Sequence, residues 1–147
     1  MLATHPLGTS VDDIPQYGVL VVEDDPAIRR LVTMVLQRHK FRVEIAVDGL
    51  EAVLKLGVCD YDVIILDLMM PNLDGFTFLR TFAENEPERL RKVIVTSAAS
   101  PAVIRERMMG GPFRLLPKPF DIHELVDAVR ACIDAQSVGA PGVDAQS

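Results

Sequence analysis

Short apolar runs alternate along this chain with stretches whose apolar residues recur at the spacing of a helix. The runs include "VLVV" at 19–22, "DVIILD" at 62–67 and "VIVTS" at 93–97. Within the second run, residues 63–66 are apolar throughout, which is typical of a strand buried on both faces of a sheet. Strands that alternate with helical patterns predict βα units on a parallel sheet. The pattern therefore restricts the chain to the α/β class.

Five consecutive βα units can be placed between residues 18 and 134. In the first unit residues 19–22 form the strand, and Asp25 followed by Pro26 supplies an N-cap and a first-turn residue for the helix. The charged stretch 84–92 is interpreted as a solvated connection. The other strands are predicted at 41–47, 63–66, 93–97 and within 113–120. The second helix carries Leu50, Val53 and Leu54, and the third carries Phe76, Leu79 and Phe82. The fourth helix begins near Pro101, and the fifth carries Ile122, Leu125, Val126, Val129 and Ile133.

The two ends of the chain lack this pattern. Residues 1–17 contain two prolines and a glycine without an apolar period, and residues 135–147 are small, polar and interrupted by proline and glycine. Both stretches are predicted to be flexible, the first as a leader and the second as a tail. A chain of 147 residues is of ordinary size for one domain, so residues 18–134 are predicted to form it.

Composition narrows the class of protein further. The chain is 49% hydrophobic and 24% charged, which is ordinary for a folded domain, and its net charge of −6 argues against direct nucleic-acid binding. No apolar run approaches the roughly 18 residues of a membrane span, and the N-terminus has no basic leader or apolar core. The sequence therefore predicts a cytoplasmic protein without membrane insertion, whose DNA-binding output module, if any, lies elsewhere.

Polar side chains follow four of the predicted strands where each strand ends. Glu23 and Asp24 follow the first strand, Asp67 the third, Ser97 closes the fourth and Lys118 follows the fifth. In an open α/β sheet, ligands bind outside the carboxyl ends of the strands. We therefore expect these carboxylates, the hydroxyl and the amine to meet at one edge of the sheet.

The chemistry of this set indicates phosphoryl transfer. Carboxylates packed together repel one another unless a cation lies among them, and Mg²⁺ is bound by a few carboxylates while it keeps waters that a phosphate oxygen can displace. Asp67 can act as a nucleophile, and the hydroxyl and amine can bind the other phosphoryl oxygens. Asp25 is interpreted as a helix cap rather than a ligand. Ser97 is preferred to Thr96 because strand alternation lets only one of them face the site.

The ordered motifs "VLVVEDD", "DVIILDLMMPNLDG", "VIVTSA" and "PKPF" resemble the receiver domain of two-component response regulators, as in the single-domain chemotaxis type. The spacing agrees, because Ser97 follows Asp67 by 30 residues and Lys118 follows Ser97 by 21. The resemblance covers residues 18–134. It implies a (βα)5 flavodoxin-like three-layer sandwich, with a five-stranded parallel sheet in the order 2-1-3-4-5.

The resemblance also implies a metal site. Asp67 corresponds to the phosphoacceptor and contributes to binding Mg²⁺. Asp24 corresponds to a direct ligand, Glu23 to a ligand that acts largely through water, and the backbone carbonyl of Met69 to another ligand.

The resemblance further implies a switch. Ser97 corresponds to the hydroxyl that moves toward the phosphoryl group, and Lys118 to the lysine that pairs with it. The Lys118–Pro119 bond matches one that is usually cis in the family.

Three positions depart from the family pattern. Leu115 stands where the family often has the tyrosine or phenylalanine whose ring moves with the switch hydroxyl. Met69 and Ala99 occupy positions that often tune dephosphorylation, and neither side chain can hydrogen-bond an attacking water. We therefore expect slow self-dephosphorylation, while Leu115 leaves the aromatic switch in question.

The function implied is a phosphoacceptor switch and not an enzyme with a separate substrate. A sensor histidine kinase or phosphotransfer protein would donate the phosphoryl group to Asp67, and a downstream protein would bind the face of helix 4, strand 5 and helix 5. Dimerisation is left open. One alternative is a phosphorylation-independent binding module, which Leu115 favours. Another is a hydrolase, which would need a second acid where Met69 stands.

Overall fold

A computed structural model describes residues 17–68, 75–108 and 113–139, with side chains omitted at 107–108 and 137–139. The predicted leader, apart from Tyr17, lies outside the described residues. The same holds for residues 140–147 of the predicted tail and for Met69, so what was predicted for these parts stays a prediction.

Five βα units are present, as the sequence predicts, and a 3₁₀ helix precedes the fourth strand. The strands are β1 (Tyr17–Val22), β2 (Phe41–Ala46), β3 (Val63–Asp67), β4 (Val93–Ser97) and β5 (Arg114–Pro117). The helices are α1 (Pro26–Arg38), α2 (Gly49–Leu56), α3 (Gly75–Asn85), α4 (Pro101–Met108) and α5 (Ile122–Gly139), and the 3₁₀ helix is Pro87–Lys92.

The strands form one parallel sheet in the order β2-β1-β3-β4-β5, which confirms the predicted topology. Strand β3 occupies the centre and is buried along its whole length, as its apolar run predicts. The register pairs Val22 of β1 with Leu66 of β3, and Asp67 with Thr96 of β4. The carboxyl ends of three adjacent strands are therefore aligned at one edge.

The sheet is covered on both faces, so the predicted three-layer sandwich is confirmed. Helices α1 and α5 pack on one face, where Leu36 and Val129 are fully buried. Helices α2, α3 and α4 pack on the other face, through side chains such as Leu79 and Ile104. Removal of this apolar surface from water on both sides of β3 is the main stabilising contribution to the fold.

The predicted second helix is present, but it packs through residues that its spacing did not single out. Leu50, Val53 and Leu54 are all exposed, at 68%, 49% and 63%. Ala52 and Leu56 contact the core instead. Because apolar residues surround most of this helix, periodicity alone could not determine which side faces the sheet.

The charged stretch 84–92 is more ordered than the predicted solvated connection. Residues 87–92 form the 3₁₀ helix, and Leu90 within it is buried in the core. The guanidinium of Arg89 lies 5.8 Å from the centre of the Phe82 ring and pairs with Glu86. A single apolar residue within a polar stretch is enough to anchor the segment.

Helix α5 continues to Gly139, so it is longer than predicted and takes in the start of the stretch assigned to the tail. The Gln136 side chain explains the continuation, because its Nε2 donates to the Asp62 carbonyl at 2.8 Å and to the Cys132 carbonyl at 3.2 Å. None of the helices in the described residues has the length and apolar character needed to cross a membrane.

Candidate functional site

The acidic turn after β1 is held by hydrogen bonds within the turn and to its neighbours. The Asp25 carboxylate accepts from the backbone N–H groups of Ala27 (2.8 Å) and Ile28 (3.3 Å), which confirms the predicted N-cap of α1. The Asp25 backbone N–H in turn donates to Glu23 Oε2 at 3.1 Å. Glu23 is also fixed to β2, because its backbone N–H donates to the Ala46 carbonyl at 3.1 Å. Asp25 therefore begins the helix, and Glu23 and Asp24 remain as candidate ligands.

Three carboxylates converge at this edge of the sheet. Asp67 is the last residue of β3 and is buried, as is Glu23, while Asp24 is half-buried. One carboxylate oxygen from each of the three residues lies within 4.8 Å of those from the other two. The predicted acidic cluster is thus present, and its geometry follows from the alignment of β1 beside β3.

The Lys118 ammonium lies against two of these carboxylates. Its Nζ is 3.3 Å from Asp67 Oδ2 and 3.4 Å from Glu23 Oε1. The Lys118 backbone N–H donates to the Ser97 carbonyl at 2.9 Å, and the Lys118–Pro119 bond is cis, as predicted. The turn after β5 therefore brings the only cation observed in contact with this acidic cluster, among the residues that the structure describes.

Burial and charge set the ionisation of the site. Burial, reinforced by the charge of Asp67, raises the pKa of Glu23 from 4.5 to about 7, although the Asp25 N–H and the Lys118 charge oppose the rise. Burial alone would lower the pKa of Lys118, but the Asp67 and Glu23 carboxylates raise it above its usual value. Lys118 is therefore a stable positive charge, whereas Glu23 carries an ionisation penalty.

The donor set fits a divalent cation. When all are ionised, three carboxylates face one ammonium among the residues that the structure describes, so these four side chains together carry an excess of negative charge. Carboxylate oxygens are the ligands that Mg²⁺ uses, and a bound cation would favour the ionised form of Glu23. The residues present are therefore suited to hold Mg²⁺.

Ser97 closes β4 beside this cluster and is buried. Its Oγ accepts from the Ala99 backbone N–H at 3.0 Å, and its carbonyl accepts from Lys118. Leu115, on the neighbouring strand, is half-buried and packs against the core on the face of α2, α3 and α4. Ser97 thus links the two strand ends through its backbone, while its hydroxyl is engaged locally.

Leu68, the residue after Asp67, is in close contact with Gly75 at the start of α3. Leu68 is buried, and its carbonyl accepts from the Gly75 backbone N–H at 3.3 Å. A Cβ atom added at Gly75 would lie 2.6 Å from the Leu68 Cα, so only glycine permits this approach. The start of α3 is therefore packed directly against the residue that follows Asp67.

Sequence reasoning missed one contact at the site. Arg29, at the end of the first turn of α1, donates from Nη1 to the Glu23 carbonyl at 2.9 Å and to the Asp24 carbonyl at 3.3 Å. Its position four residues after the capping Asp25 places it one helical turn above the acidic turn. That spacing indicates that Arg29 could reach the acidic turn, but it does not show whether the side chain turns back toward the turn or points to solvent.

The comparisons with known proteins agree with this fold and site. The family described as "Response regulator receiver domain" matches residues 19–130. The chain is 34% identical over 118 residues to the "DNA-binding dual master transcriptional regulator RpaA" of Synechocystis, covering 78% of this chain and 48% of that protein. It is 32% identical over 123 residues to the "Transcriptional regulatory protein ResD" of Bacillus subtilis, covering 84% and 50%. The chain thus spans about half the length of these relatives.

Solved structures show the same likeness. The receiver domain of the Francisella response regulator 1452 superimposes with a TM-score of 0.73 at 31% identity, covering 82% of this chain and 99% of that one. Chemotaxis protein CheY4 of Vibrio cholerae gives 0.71 at 30% identity, covering 80% and 98%. A third, response regulator TrrA of Thermotoga maritima, was solved with Mg²⁺ and BeF, and gives 0.69 at 27% identity, covering 80% and 99%. The chain belongs to the receiver domain family of two-component response regulators.

Proposed function

We propose that Asp67 accepts a phosphoryl group in an Mg²⁺-dependent reaction, and that the modified site changes the binding of a downstream partner. The observation that carries this proposal is the convergence of the Glu23, Asp24 and Asp67 oxygens with Lys118 Nζ 3.3 Å from Asp67. The receiver fold supports it, because this edge of a parallel sheet is where ligands bind.

In the proposed reaction, an Asp67 oxygen attacks the phosphorus of the donor. A P–O bond forms as the donor's P–N or P–O bond breaks, and the donor leaves with the electron pair. Lys118, already beside Asp67, neutralises negative charge on the phosphoryl oxygens. A bound Mg²⁺ would supply further neutralisation and orient the phosphoryl group. The carboxylates of Glu23 and Asp24 would hold that ion, with the Met69 carbonyl proposed as another ligand.

The proposed switch uses Ser97. In the structure its oxygen accepts a hydrogen bond from the Ala99 N–H, and its O–H would donate to a phosphoryl oxygen, which is a charged and therefore stronger acceptor. Movement of the hydroxyl toward that oxygen would weaken the bond from Ala99. Leu115 has no ring to rotate with the hydroxyl, so the change is proposed to pass through backbone and packing. Self-dephosphorylation is proposed to be slow, because Met69 and Ala99 offer no side chain that could orient water.

The proposed partners follow from the family. A sensor histidine kinase or phosphotransfer protein would be the donor, and the face made by α4, β5 and α5 would bind the downstream partner. The matched relatives include a sensor kinase, CckA of Brucella abortus, in which the aligned region is 13% of the protein. The location in the cytoplasm and the presence or absence of a dimer stay predictions.

Intact mass measurement tests the proposal. The full chain is incubated with acetyl phosphate and Mg²⁺, and we expect the gain of one phosphoryl group that disappears when the metal is chelated. Asp67→Asn should abolish the gain. Asp60→Asn is the matched control because the Asp60 side chain is 88% exposed and lies in the connection after α2, so it should leave the gain unchanged.

Two results would contradict the proposal. A gain that persists in Asp67→Asn would place the phosphoryl group elsewhere. No gain with several donors, while Mg²⁺ is shown to bind, would favour a phosphorylation-independent binding module. Loss of the label within seconds from the isolated chain would contradict only the slow dephosphorylation.

A further inference from the structure

The carboxylates of the acidic cluster are not held equally. Glu23 is fixed through both carboxylate oxygens, by Lys118 and by the Asp25 N–H, and also through its backbone. Asp67 is fixed by its place at the end of β3 and by Lys118. By contrast, the Asp24 carboxylate accepts no hydrogen bond from any residue that the structure describes. Its position is therefore set through the backbone of the acidic turn.

Arg29 is the side chain that fixes this backbone. A single nitrogen, Nη1, donates to both the Glu23 and Asp24 carbonyls, at 2.9 and 3.3 Å. The half-buried guanidinium reaches back from α1, whose start is itself fixed by the Asp25 cap. Two interactions thus hold the acidic turn to α1: the Asp25 cap, and the hydrogen bonds from Arg29 to the Glu23 and Asp24 carbonyls. Of these, only the Arg29 interaction contacts Asp24 itself.

We propose that Arg29 is a positioning residue for the metal site, which holds the Asp24 carboxylate in the geometry that Mg²⁺ requires. This inference rests on the proposed function only in that the site must bind Mg²⁺. Groups that orient metal ligands without touching the metal commonly affect affinity by about 10-fold or more. Arg29 makes its contribution through two carbonyls and not through a ligand atom.

The sign of the effect separates positioning from charge. If Arg29 acted only as a nearby positive charge, its removal would make the site more negative and Mg²⁺ would bind more tightly. If Arg29 positions the turn, its removal loosens Asp24 and Mg²⁺ binds more weakly. The two roles therefore predict opposite results for the same substitution.

The choice of metal provides a second distinction. Mg²⁺ requires nearly ideal octahedral geometry with short bonds, whereas Ca²⁺ tolerates irregular and longer coordination. A loosened Asp24 should therefore weaken Mg²⁺ binding more than Ca²⁺ binding. A general loss of folded protein would weaken both equally.

The experiment is a calorimetric titration of the full chain with Mg²⁺ and, separately, with Ca²⁺. Arg29→Gln removes the positive charge and shortens the side chain, whereas Arg29→Lys keeps the charge and an amine donor. Arg30→Gln is the control, because it removes the same charge from the exposed neighbouring residue. Thermal unfolding without metal checks that each variant is folded.

We expect R29Q to weaken Mg²⁺ binding by about 10-fold and Ca²⁺ binding by less than about 3-fold. R29K should lie between R29Q and the unaltered chain, and R30Q should change Mg²⁺ affinity by less than about 2-fold.

Unchanged or tighter Mg²⁺ binding by R29Q, or equal losses for the two metals, would overturn the inference and leave the metal site intact. If R29Q does not fold, R29K decides, and equal Mg²⁺ affinity in R29K and the unaltered chain would overturn it. Absence of Mg²⁺ binding by the unaltered chain would instead overturn the metal site itself, and the inference with it.

Discussion

The two ends of the sheet differ in how their polar groups are paired. At the carboxyl end, Glu23, Asp24 and Asp67 place like charges together around one lysine. At the amino end, the Gly18 N–H donates to Asp62 Oδ2 at 2.8 Å, and Gln136 donates to the Asp62 carbonyl at the same distance. Both of these donors have an acceptor. The amino end therefore stabilises the fold, whereas the carboxyl end keeps an excess of negative charge that a divalent cation could neutralise.

The largest expected effect comes from removing the cation of the carboxyl end. Lys118→Met should lower the free energy of unfolding at pH 8 by about 3 kcal/mol, because two buried carboxylates lose the charge that compensates them. Urea unfolding measures the change. Lys55→Met, which removes a lysine from α2, is the control and should cost less than about 0.5 kcal/mol. A loss of the same small size in Lys118→Met would contradict the difference between the two ends.

The second effect is a pH dependence that belongs to Glu23. Its pKa of about 7 in the folded state exceeds the value of 4.5 for an exposed glutamate, so the folded chain binds more protons between these values. Stability should therefore fall as the pH rises from about 4.5 to 7, by roughly 2 kcal/mol from this group. Denaturant unfolding across this range measures the slope.

Two controls sharpen the pH prediction. Glu23→Gln should remove this part of the slope, because the amide does not titrate. Saturating Mg²⁺ should also flatten the slope, because the metal favours the ionised carboxylate. A slope that is unchanged in Glu23→Gln would assign the pH dependence to another group.

A smaller effect is expected at the amino end. Asp62→Ala should destabilise the fold by about 1.5 kcal/mol, because the Gly18 N–H loses its acceptor. Asp62→Asn keeps an oxygen at the same place and should cost less. Neither variant should alter Mg²⁺ affinity, and a change in that affinity would show that the two ends are not independent.

The smallest effect has the opposite sign. Asp67→Asn should raise the free energy of unfolding without metal by about 1 kcal/mol, because it removes one of three neighbouring carboxylates and keeps the side-chain shape. Thermal unfolding at pH 8 and low salt measures the increase. A decrease would show that the contact with Lys118 outweighs the repulsion from Glu23 and Asp24.

Chain order was enough to predict most of the carboxyl end. Parallel strands bring their carboxyl ends to one edge, so Glu23, Asp24, Asp67 and Lys118 could be expected together before any distance was known. The strand order and the covering of both faces came from the family resemblance and are confirmed. The cap at Asp25 was local enough to be predicted from two adjacent residues.

Features that depend on tertiary packing were beyond the sequence pattern. The side of α2 that faces the sheet is selected by the small Ala52 and by Leu56, although larger apolar residues lie beside them. Gln136 extends α5 because the carbonyl of Asp62, 74 residues earlier in the chain, lies within reach. The turn of Arg29 toward two carbonyls is a choice of rotamer. The first two depend on where a distant segment lies, and the third on a side-chain rotamer, and periodicity reports neither.

The hydrogen bond from the Ala99 N–H to Ser97 Oγ has a practical consequence. If the hydroxyl turns away, this amide loses its acceptor, so its resonance frequency and its rate of hydrogen exchange should both change. The Ala99 amide is therefore a spectroscopic probe of the Ser97 hydroxyl that the chain itself provides. It would report a change in the orientation of the hydroxyl without a kinase or an output partner.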